Sequence, residues 1–163
     1  MNTILAFAFL VNLATPQQAV GQVKEHPAPP SYVIEMQVMD VSDLLVDGKS
    51  LTEPMVFSAP EKPSFTTSAL TTHNKPMVRT LSGMPARIAT ESGGAGDEYR
   101  IIVVKDENQI LLSVRRFTWE KEESEESKEL QASVTQFISS GDTVIARVGG
   151  NRIILVNVEE ASD

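Results

Sequence analysis

The sequence contains no cysteine, few aromatic side chains, and no apolar run long enough to cross a bilayer as a helix. The lack of cysteine excludes disulfides, thiolate zinc sites and thiol nucleophiles together. Because aromatic residues make up only 6% of the chain, the core must consist mainly of Val, Ile, Leu and Met. A chain of 163 residues can bury roughly two thirds of its unfolded surface, so one domain needs neither metal nor disulfide to fold.

Basic charge is also scarce, with 14 Lys and Arg against 22 Asp and Glu and a formal net charge of -8. The closest basic pair is Arg115 with Arg116, and the sequence shows no segregated basic patch. An acidic chain repels phosphate backbones and anionic lipid surfaces. We therefore expect no nucleic acid among its partners.

Residues that carry chemistry are sparse as well. The two histidines, His26 and His73, stand in no metal-binding spacing, and no GxSxG nucleophile motif is present. The Gly-rich residues 93–96 lack the lysine of a phosphate-binding loop, and residues 40–48 lack the ligand spacing of a calcium loop. The sequence thus predicts no catalytic, cofactor-binding or metal-binding residues, no small-molecule cofactor and no enzyme.

The N-terminus has the pattern of a secretory signal. Residues 4–14 form an apolar run, interrupted only by Asn12, that is too short to span a membrane. Ala19, Val20 and Gly21 form a small-x-small site, so we expect cleavage between Gly21 and Gln22. The first three residues carry no Lys or Arg, and the alternative is a buried N-terminal strand or helix. Export to the periplasm or outer membrane is the expectation.

Beyond a linker at residues 22–31, which contains three prolines, residues 32–158 predict one mainly β domain and residues 159–163 a polar tail. We expect about eight strands, in a compact mixed or antiparallel sheet, and little helix. Tyr32, Ile34, Met36 and Val38 alternate on one face of the first strand. Residues 42–75 predict only short strands, near 55–57 and 65–67. Later strands are predicted at 77–81, 86–90, 100–104, 109–117, 130–138, 143–148 and 152–158, with a loop at 91–98.

Residues 120–129, here called the acidic segment, hold six Glu and two Lys. This composition predicts a solvated element, either a loop or a short exposed helix, and is most typical of a hydrophilic hairpin tip. Trp119, which precedes the segment, is expected to be a core or rim residue.

The order of signals resembles the core of the bacterial secretins, the outer-membrane ring proteins of type II and type III secretion systems and type IV pili. Two family stretches, "aP-x-v-x-t-x-x-g-x-x-A-x-i" and "dG-x-t-v-v-i-g-G", carry the resemblance. The matching positions are Pro76, Val78, Thr80, Gly83, Ala86 and Ile88 in the first and Gly141, Thr143, Val144, Gly149 and Gly150 in the second. The first stretch predicts a hairpin with Gly83 in its turn and with Ala86 and Ile88 pointing to one side.

The resemblance covers most of residues 32–150 in a shortened and divergent form. It implies a structural or accessory role in protein secretion or outer-membrane assembly. The implied partners are copies of the same chain or a component of the secretion system, with association with the outer membrane. The alternative is a monomeric periplasmic β-sandwich binding module, unrelated to secretion, that uses its proline- and threonine-rich loops as a contact surface.

The first prediction concerns export. The full-length protein made in a bacterium should be recovered outside the cytoplasm, because the apolar run directs it there. N-terminal sequencing should find a chain that begins near Gln22. Recovery of intact Met1 from envelope fractions would contradict cleavage and favour a retained anchor.

Overall fold

The computed structural model describes residues 28–61, 63–92, 95–122 and 125–161, which form 13 β-strands and no helix. Every strand pair within these ranges is antiparallel. The prediction of a mainly β domain is therefore confirmed. The expected count of about eight strands is too low because residues 42–75 contribute five short strands. The predicted cleavage site at Gly21 and Gln22 lies outside the described residues.

The strands follow one another along the chain as short and long elements. They are β1 (Ser31–Ser42), β2 (Leu45–Val46), β3 (Lys49–Ser50), β4 (Met55–Phe57), β5 (Phe65–Thr66), β6 (Ala69–Asn74), β7 (Met77–Leu81), β8 (Pro85–Ser92), β9 (Ala95–Asp106), β10 (Gln109–Glu122), β11 (Glu125–Ile138), β12 (Thr143–Arg147) and β13 (Arg152–Glu160).

These strands form three sheets. The first has the order β4-β12-β13-β1-β6, and β7 also pairs with β1. The second has the order β11-β10-β9-β8, and the third, much smaller, has the order β3-β2-β5. Since β6 pairs with the C-terminal half of β1 and β7 with its N-terminal half, the two short strands share one side of β1.

The main core lies between the first and second sheets. The first sheet contributes Tyr32, Ile34, Met36 and Val38 from β1, which confirms the predicted alternation. The facing residues of the second sheet are Ala86, Ile88, Tyr99, Ile101, Val103, Ile110, Leu112, Val114, Val134 and Ile138. The inward side chains of both sheets thus alternate with outward ones, as in an aligned packing of two sheets.

A second core covers the opposite face of the first sheet. Ile145 and Ile153 point to this side, where Val46 and Leu51 of the small sheet region pack against them. The central strands β12 and β13 are consequently buried on both faces, and Val144, Ile145 and Ala146 are all at most 1% exposed. Burial on both faces explains why the sequence of these strands is a continuous apolar run instead of an alternation.

The predicted hairpin over residues 76–90 is wrong in its pairing. β7 pairs with β1 in the first sheet, whereas β8 pairs with β9 in the second, so the turn between them carries the chain across the core. Gly83 does lie in this turn, with φ of 79°, a conformation that suits glycine. Ala86 and Ile88 are buried together on one side of β8, as expected. Local turn chemistry does not specify the strands' distant partners.

Strand pairing also extends into segments predicted as irregular. β8 continues to Ser92 and β9 begins at Ala95, which replaces most of the predicted loop at 91–98. The described residues of the acidic segment continue the β10–β11 pair as far as Glu122 and Glu125, so these residues are strand and not helix. β13 runs into the predicted tail, where Glu160 accepts a hydrogen bond of 2.9 Å from Lys105 Nζ.

A pair of substitutions tests this core. Ile88→Asp should destabilise the protein by roughly 4 kcal/mol because it buries an unpaired charge. Met84→Asp, four residues earlier in the turn, should change stability by less than about 1 kcal/mol, since Met84 is 57% exposed. Urea unfolding of both variants measures the difference. Similar losses at the two positions would contradict the burial of Ile88 in the main core.

Candidate functional site

The outward face of the second sheet carries a cluster of charged side chains. On β9, Tyr99, Ile101 and Val103 point into the main core, so Glu98, Arg100 and Ile102 point outward. The register with β8 and β10 then determines which outward residues lie side by side.

Three arginines form a row across this face. Arg100 lies opposite Arg87 on β8 and opposite Arg115 on β10. Neighbouring strands are about 4.8 Å apart, so the row spans roughly 10 Å. The side chains of Arg87 and Arg100 are 60% and 48% exposed. We call Arg87, Arg100 and Arg115 the arginine row.

One buried carboxylate lies beside the arginine row. The Glu98 side chain is only 1% exposed, and its oxygens accept hydrogen bonds from Arg100 Nε at 2.5 Å and Lys128 Nζ at 2.9 Å. Arg87 Nη2 lies 2.6 Å from the same carboxylate. Burial alone would raise the pKa of Glu98, but the bonds from Lys128 and Arg100 and the charges of Arg100 and Arg87 outweigh it and lower the pKa to about 2.

The positive charge of this face is only partly neutralised. Glu98 has three cationic partners, and Arg115 has no ion pair or hydrogen bond within the described ranges. The three arginines and the Glu98 carboxylate together carry a formal charge of +2, on a chain whose net charge is -8. Like charges directly opposite each other on adjacent strands are destabilising. The row therefore has a stability cost that an anion bound from outside would offset.

The arginine row borders a groove with an apolar floor. The groove has a volume of about 440 Å³ and is lined by Pro85, Ile102 and Ser113 together with the three arginines. The Arg100 guanidinium lies 4.6 Å from the centre of the Phe117 ring, a cation–π contact that keeps the guanidinium over the sheet. Leu130 and Phe137, each 52% exposed, are outward residues of β11 on the same sheet.

The outer edge of β11 is unpaired among the described residues. β11 is 14 residues long and pairs on one side with β10, while the other side ends the sheet. A bulge opposite Arg116 and Phe117 interrupts the ladder near Gln131, where the turn at Gly149 also comes close. Unpaired N–H and C=O groups along a long edge strand offer a template for another strand.

A chain of ion pairs joins the first two sheets at one end of the main core. Arg152 on β13 donates to Asp40 on β1, with Nε–Oδ1 of 2.8 Å, and also pairs with Asp97 on β9. Arg116 donates from Nε to Asp97 Oδ1 at 2.8 Å. The hydrogen bond from Arg152 lowers the pKa of Asp40 to about 2, and the same bond raises the pKa of Arg152.

His73 belongs to this network. Its Nε2 lies 2.6 Å from Asp40 Oδ2 and 3.4 Å from Arg152 Nη2, which are its hydrogen-bond partners in the described part of the chain. Because Arg152 also holds Asp40, the carboxylate is shared between a guanidinium and the imidazole. No hydroxyl in the described residues completes a nucleophile–base pair with this ring.

A cavity of about 510 Å³ lies beside the network, between the ends of the two sheets. Its lining includes the half-buried Trp119, which packs over Gly96; a Cβ at Gly96 would lie 2.8 Å from the indole and would clash with the Thr90 carbonyl. The Tyr99 hydroxyl and Trp119 Nε1 are buried and make no hydrogen bond of normal geometry within the described ranges, although Arg152 approaches the hydroxyl.

The residues predicted from the resemblance are spread over several strands and turns, and Ala86 and Ile88 flank Arg87 on β8. Val78 and Thr80 lie on β7, and Pro76 precedes it, with its carbonyl accepting a bond of 2.9 Å from Met36 N. Thr143 begins β12, and Gly141 (φ 91°), Gly149 (φ 103°) and Gly150 (φ 54°) take turn conformations suited to glycine. The structure thus places these positions on β7, at the start of β12 and in the turns around it.

Sequence reasoning missed the arginine row because its members are far apart in the chain. A usable signal existed. Arg87, Arg100 and Arg115 each take a polar position in three consecutive strands, but only the register brings them together. Within the described ranges, no group of three or more acidic or histidine side chains is placed to hold a metal ion. No helix there could cross a membrane.

The chain matches no protein-family model, no curated protein and no solved structure.

The pKa of Glu98 gives a pH-dependent prediction. Since folding lowers this pKa from its ordinary value of 4.5 to about 2, the stabilisation is present above pH 4.5 and is lost as the pH falls towards 2. Glu98→Gln should therefore cost about 3 kcal/mol at pH 7 and much less near pH 2. Urea unfolding of both proteins at pH 7 and pH 2.5 measures this. A difference that does not change with pH would contradict the ionised, paired carboxylate.

Proposed function

We propose that this chain is a non-enzymatic exported envelope protein whose secretin-like β-domain has a structural or accessory role in protein secretion or outer-membrane assembly. It acts through contacts with copies of itself or with a secretion component. The observation that carries the proposal is the unpaired outer edge of β11 within the described residues.

The composition of β11 supports edge pairing over half of the strand. Natural proteins protect edge strands with charges, prolines or bulges. The first half of β11 is charged, but residues 130–138 contain no charged residue and no proline. The bulge near Gln131 lies at the start of this stretch, which leaves the remainder regular. A strand from another molecule would extend the sheet there by backbone hydrogen bonds.

The secretin resemblance supports the same reading through its turn positions. Gly83 and Gly141, which fall on the family's motif glycines, both have the positive φ that a glycine-dependent turn requires. Ala86 and Ile88, also motif positions, are core residues of the second sheet, the sheet that ends in β11. The apolar N-terminal run supports an exported location for this domain.

The second candidate function is a monomeric periplasmic β-sandwich binding module. The cavity of about 510 Å³ between the sheets favours it, because this volume is in the range of small-molecule pockets. The buried Tyr99 hydroxyl and Trp119 Nε1 there would donate hydrogen bonds to a polar ligand. A protein that stays monomeric at all concentrations would favour this candidate.

Two proline variants test pairing at the β11 edge. Along an antiparallel strand the N–H groups point alternately to the paired and the unpaired side, so Thr135→Pro and Gln136→Pro affect opposite sides. One variant should lose a ladder bond to β10 and unfold at lower temperature. The other should keep the thermal midpoint and lose self-association.

Sedimentation velocity over a range of concentrations measures that association, with the wild-type protein as the reference. If both proline variants keep the thermal midpoint and the oligomers of the wild type, edge pairing is contradicted. A wild-type protein that is monomeric over the whole concentration range would favour the binding module.

A further inference from the structure

The cavity between the ends of the two sheets contains two hydrogen-bond donors that the fold itself does not use. The Tyr99 side chain is 1% exposed, and neither its hydroxyl nor the buried Trp119 Nε1 has a hydrogen-bond partner of normal geometry within the described ranges. Burial raises the pKa of Tyr99 above its ordinary value of 10.0, so the hydroxyl is protonated at neutral pH and is able to donate. Buried donors without partners are costly, and the oxygen atoms of a ligand would remove that cost.

The charged side chains at the inner wall of this cavity are held by one another. Arg152 donates two hydrogen bonds to Asp40 and one to Asp97. Arg116 donates to Asp97 and to the Val148 carbonyl. Two guanidinium groups and two carboxylates together have a formal charge of zero. Because the buried donors left over are neutral, the inner wall favours an uncharged ligand with accepting oxygen atoms.

The rim of the cavity adds hydrogen-bond acceptors. Glu91 and Glu120 line the cavity and are exposed, so it opens to solvent beside them. Neither carboxylate has an ion pair or a hydrogen bond within the described part of the chain. These carboxylates repel an anion, Arg116 and Arg152 repel a cation, and the carboxylates accept hydrogen bonds from hydroxyl groups. The cavity therefore suits an uncharged ligand that both accepts and donates hydrogen bonds, as a polyhydroxy compound does.

Trp119 contributes an aromatic surface to the same cavity. Its indole packs over Gly96, where an added Cβ would lie only 2.8 Å from the ring. Tryptophan combines an apolar ring with one polar N–H group. A pyranose sugar has the complementary surfaces, since its C–H groups form apolar patches and its oxygen atoms accept and donate hydrogen bonds. The volume of about 510 Å³ is in the range of pockets that hold small ligands.

We propose that this cavity binds an uncharged sugar, with the Tyr99 hydroxyl and Trp119 Nε1 donating to its oxygen atoms and with Glu91 and Glu120 accepting from its hydroxyl groups. The proposal gives a ligand class to the cavity of the second candidate function, and it does not require the protein to be monomeric. None of the residues that line the cavity belongs to β11, so the site is separate from the edge contact.

Titration of the full-length chain with monosaccharides of different charge tests the proposal. The uncharged probes are glucose, galactose and N-acetylglucosamine, and the charged analogues are glucuronate and glucosamine. Trp119 is the only tryptophan of the chain, so its fluorescence reports directly on this cavity. At least one uncharged sugar should change the emission and reach saturation below about 50 mM, with a dissociation constant of about 1 mM or less. The charged analogues should bind at least about fivefold more weakly, because each brings a charge beside a like charge.

Two tyrosine variants separate a ligand contact from a structural role. Tyr99→Phe removes a hydroxyl that the fold does not use, so the affinity for the sugar should fall about tenfold while the thermal midpoint stays the same or rises slightly. Tyr32→Phe is the matched control, because the Tyr32 hydroxyl is also buried without a hydrogen-bond partner in the described ranges but does not line the cavity. Its affinity should equal that of the wild type. Trp119→Phe removes the N–H group and the fluorophore, and calorimetry should show a loss of affinity similar to that of Tyr99→Phe.

The outcomes distinguish this site from the proposed function. Saturable binding of an uncharged sugar that weakens in Tyr99→Phe and not in Tyr32→Phe supports the site. The site is overturned if none of the three uncharged sugars binds by fluorescence or calorimetry, if a charged analogue binds more tightly, or if the two tyrosine variants have equal affinities. Sedimentation velocity without sugar measures edge pairing separately. A protein that assembles without binding sugar keeps the proposed function, whereas one that binds sugar and stays monomeric keeps only the site.

Discussion

Packing of the second sheet against the first determines the direction of every side chain on β8, β9 and β10. The inward positions of β9, Tyr99, Ile101 and Val103, are at most 1% exposed. A slip of one residue would move this set to solvent and bring the charged positions into the core, so burial fixes the register. The alignment of the outward arginines is therefore a consequence of the main core. It needs no contact among the arginines themselves, which repel one another.

Glu98 makes that alignment compatible with a stable sheet. A buried carboxylate is costly by itself, and close guanidinium groups on adjacent strands are unfavourable as well. Placed together, each offsets the other, because the carboxylate lies within 2.6 Å of Arg87 and 2.5 Å of Arg100. Lys128 adds a third contact from β11, which ties the acidic half of that strand to the sheet. The pairing is incomplete, since Arg115 has no comparable partner within the described ranges.

The local sequence pattern correctly predicted features that depend on residues close together in the chain. Alternation identified the buried face of β1, and the turn residues identified Gly83, Gly141 and the Gly149–Gly150 turn, whose φ values are positive. The local pattern failed where strand pairing depends on residues far apart in the sequence. β6 lies in a threonine-rich run with a weak apolar pattern, and it is a strand because β1 offers an unpaired side there. The partners of β7 and β8, and the arginine row, follow from pairing between strands far apart in sequence. A strand's own residues carry no direct record of that pairing.

The division of β11 into a charged and an uncharged half bears on the proposed edge contact. A long edge without charge would pair with any exposed strand, and in any register. Residues 125–129 carry four charges, three Glu and one Lys, whereas residues 130–138 carry none. A partner strand that covers the uncharged half is then limited in how far it slides, because further overlap brings it beside the carboxylates. The charged half would thus limit the register of the proposed edge contact.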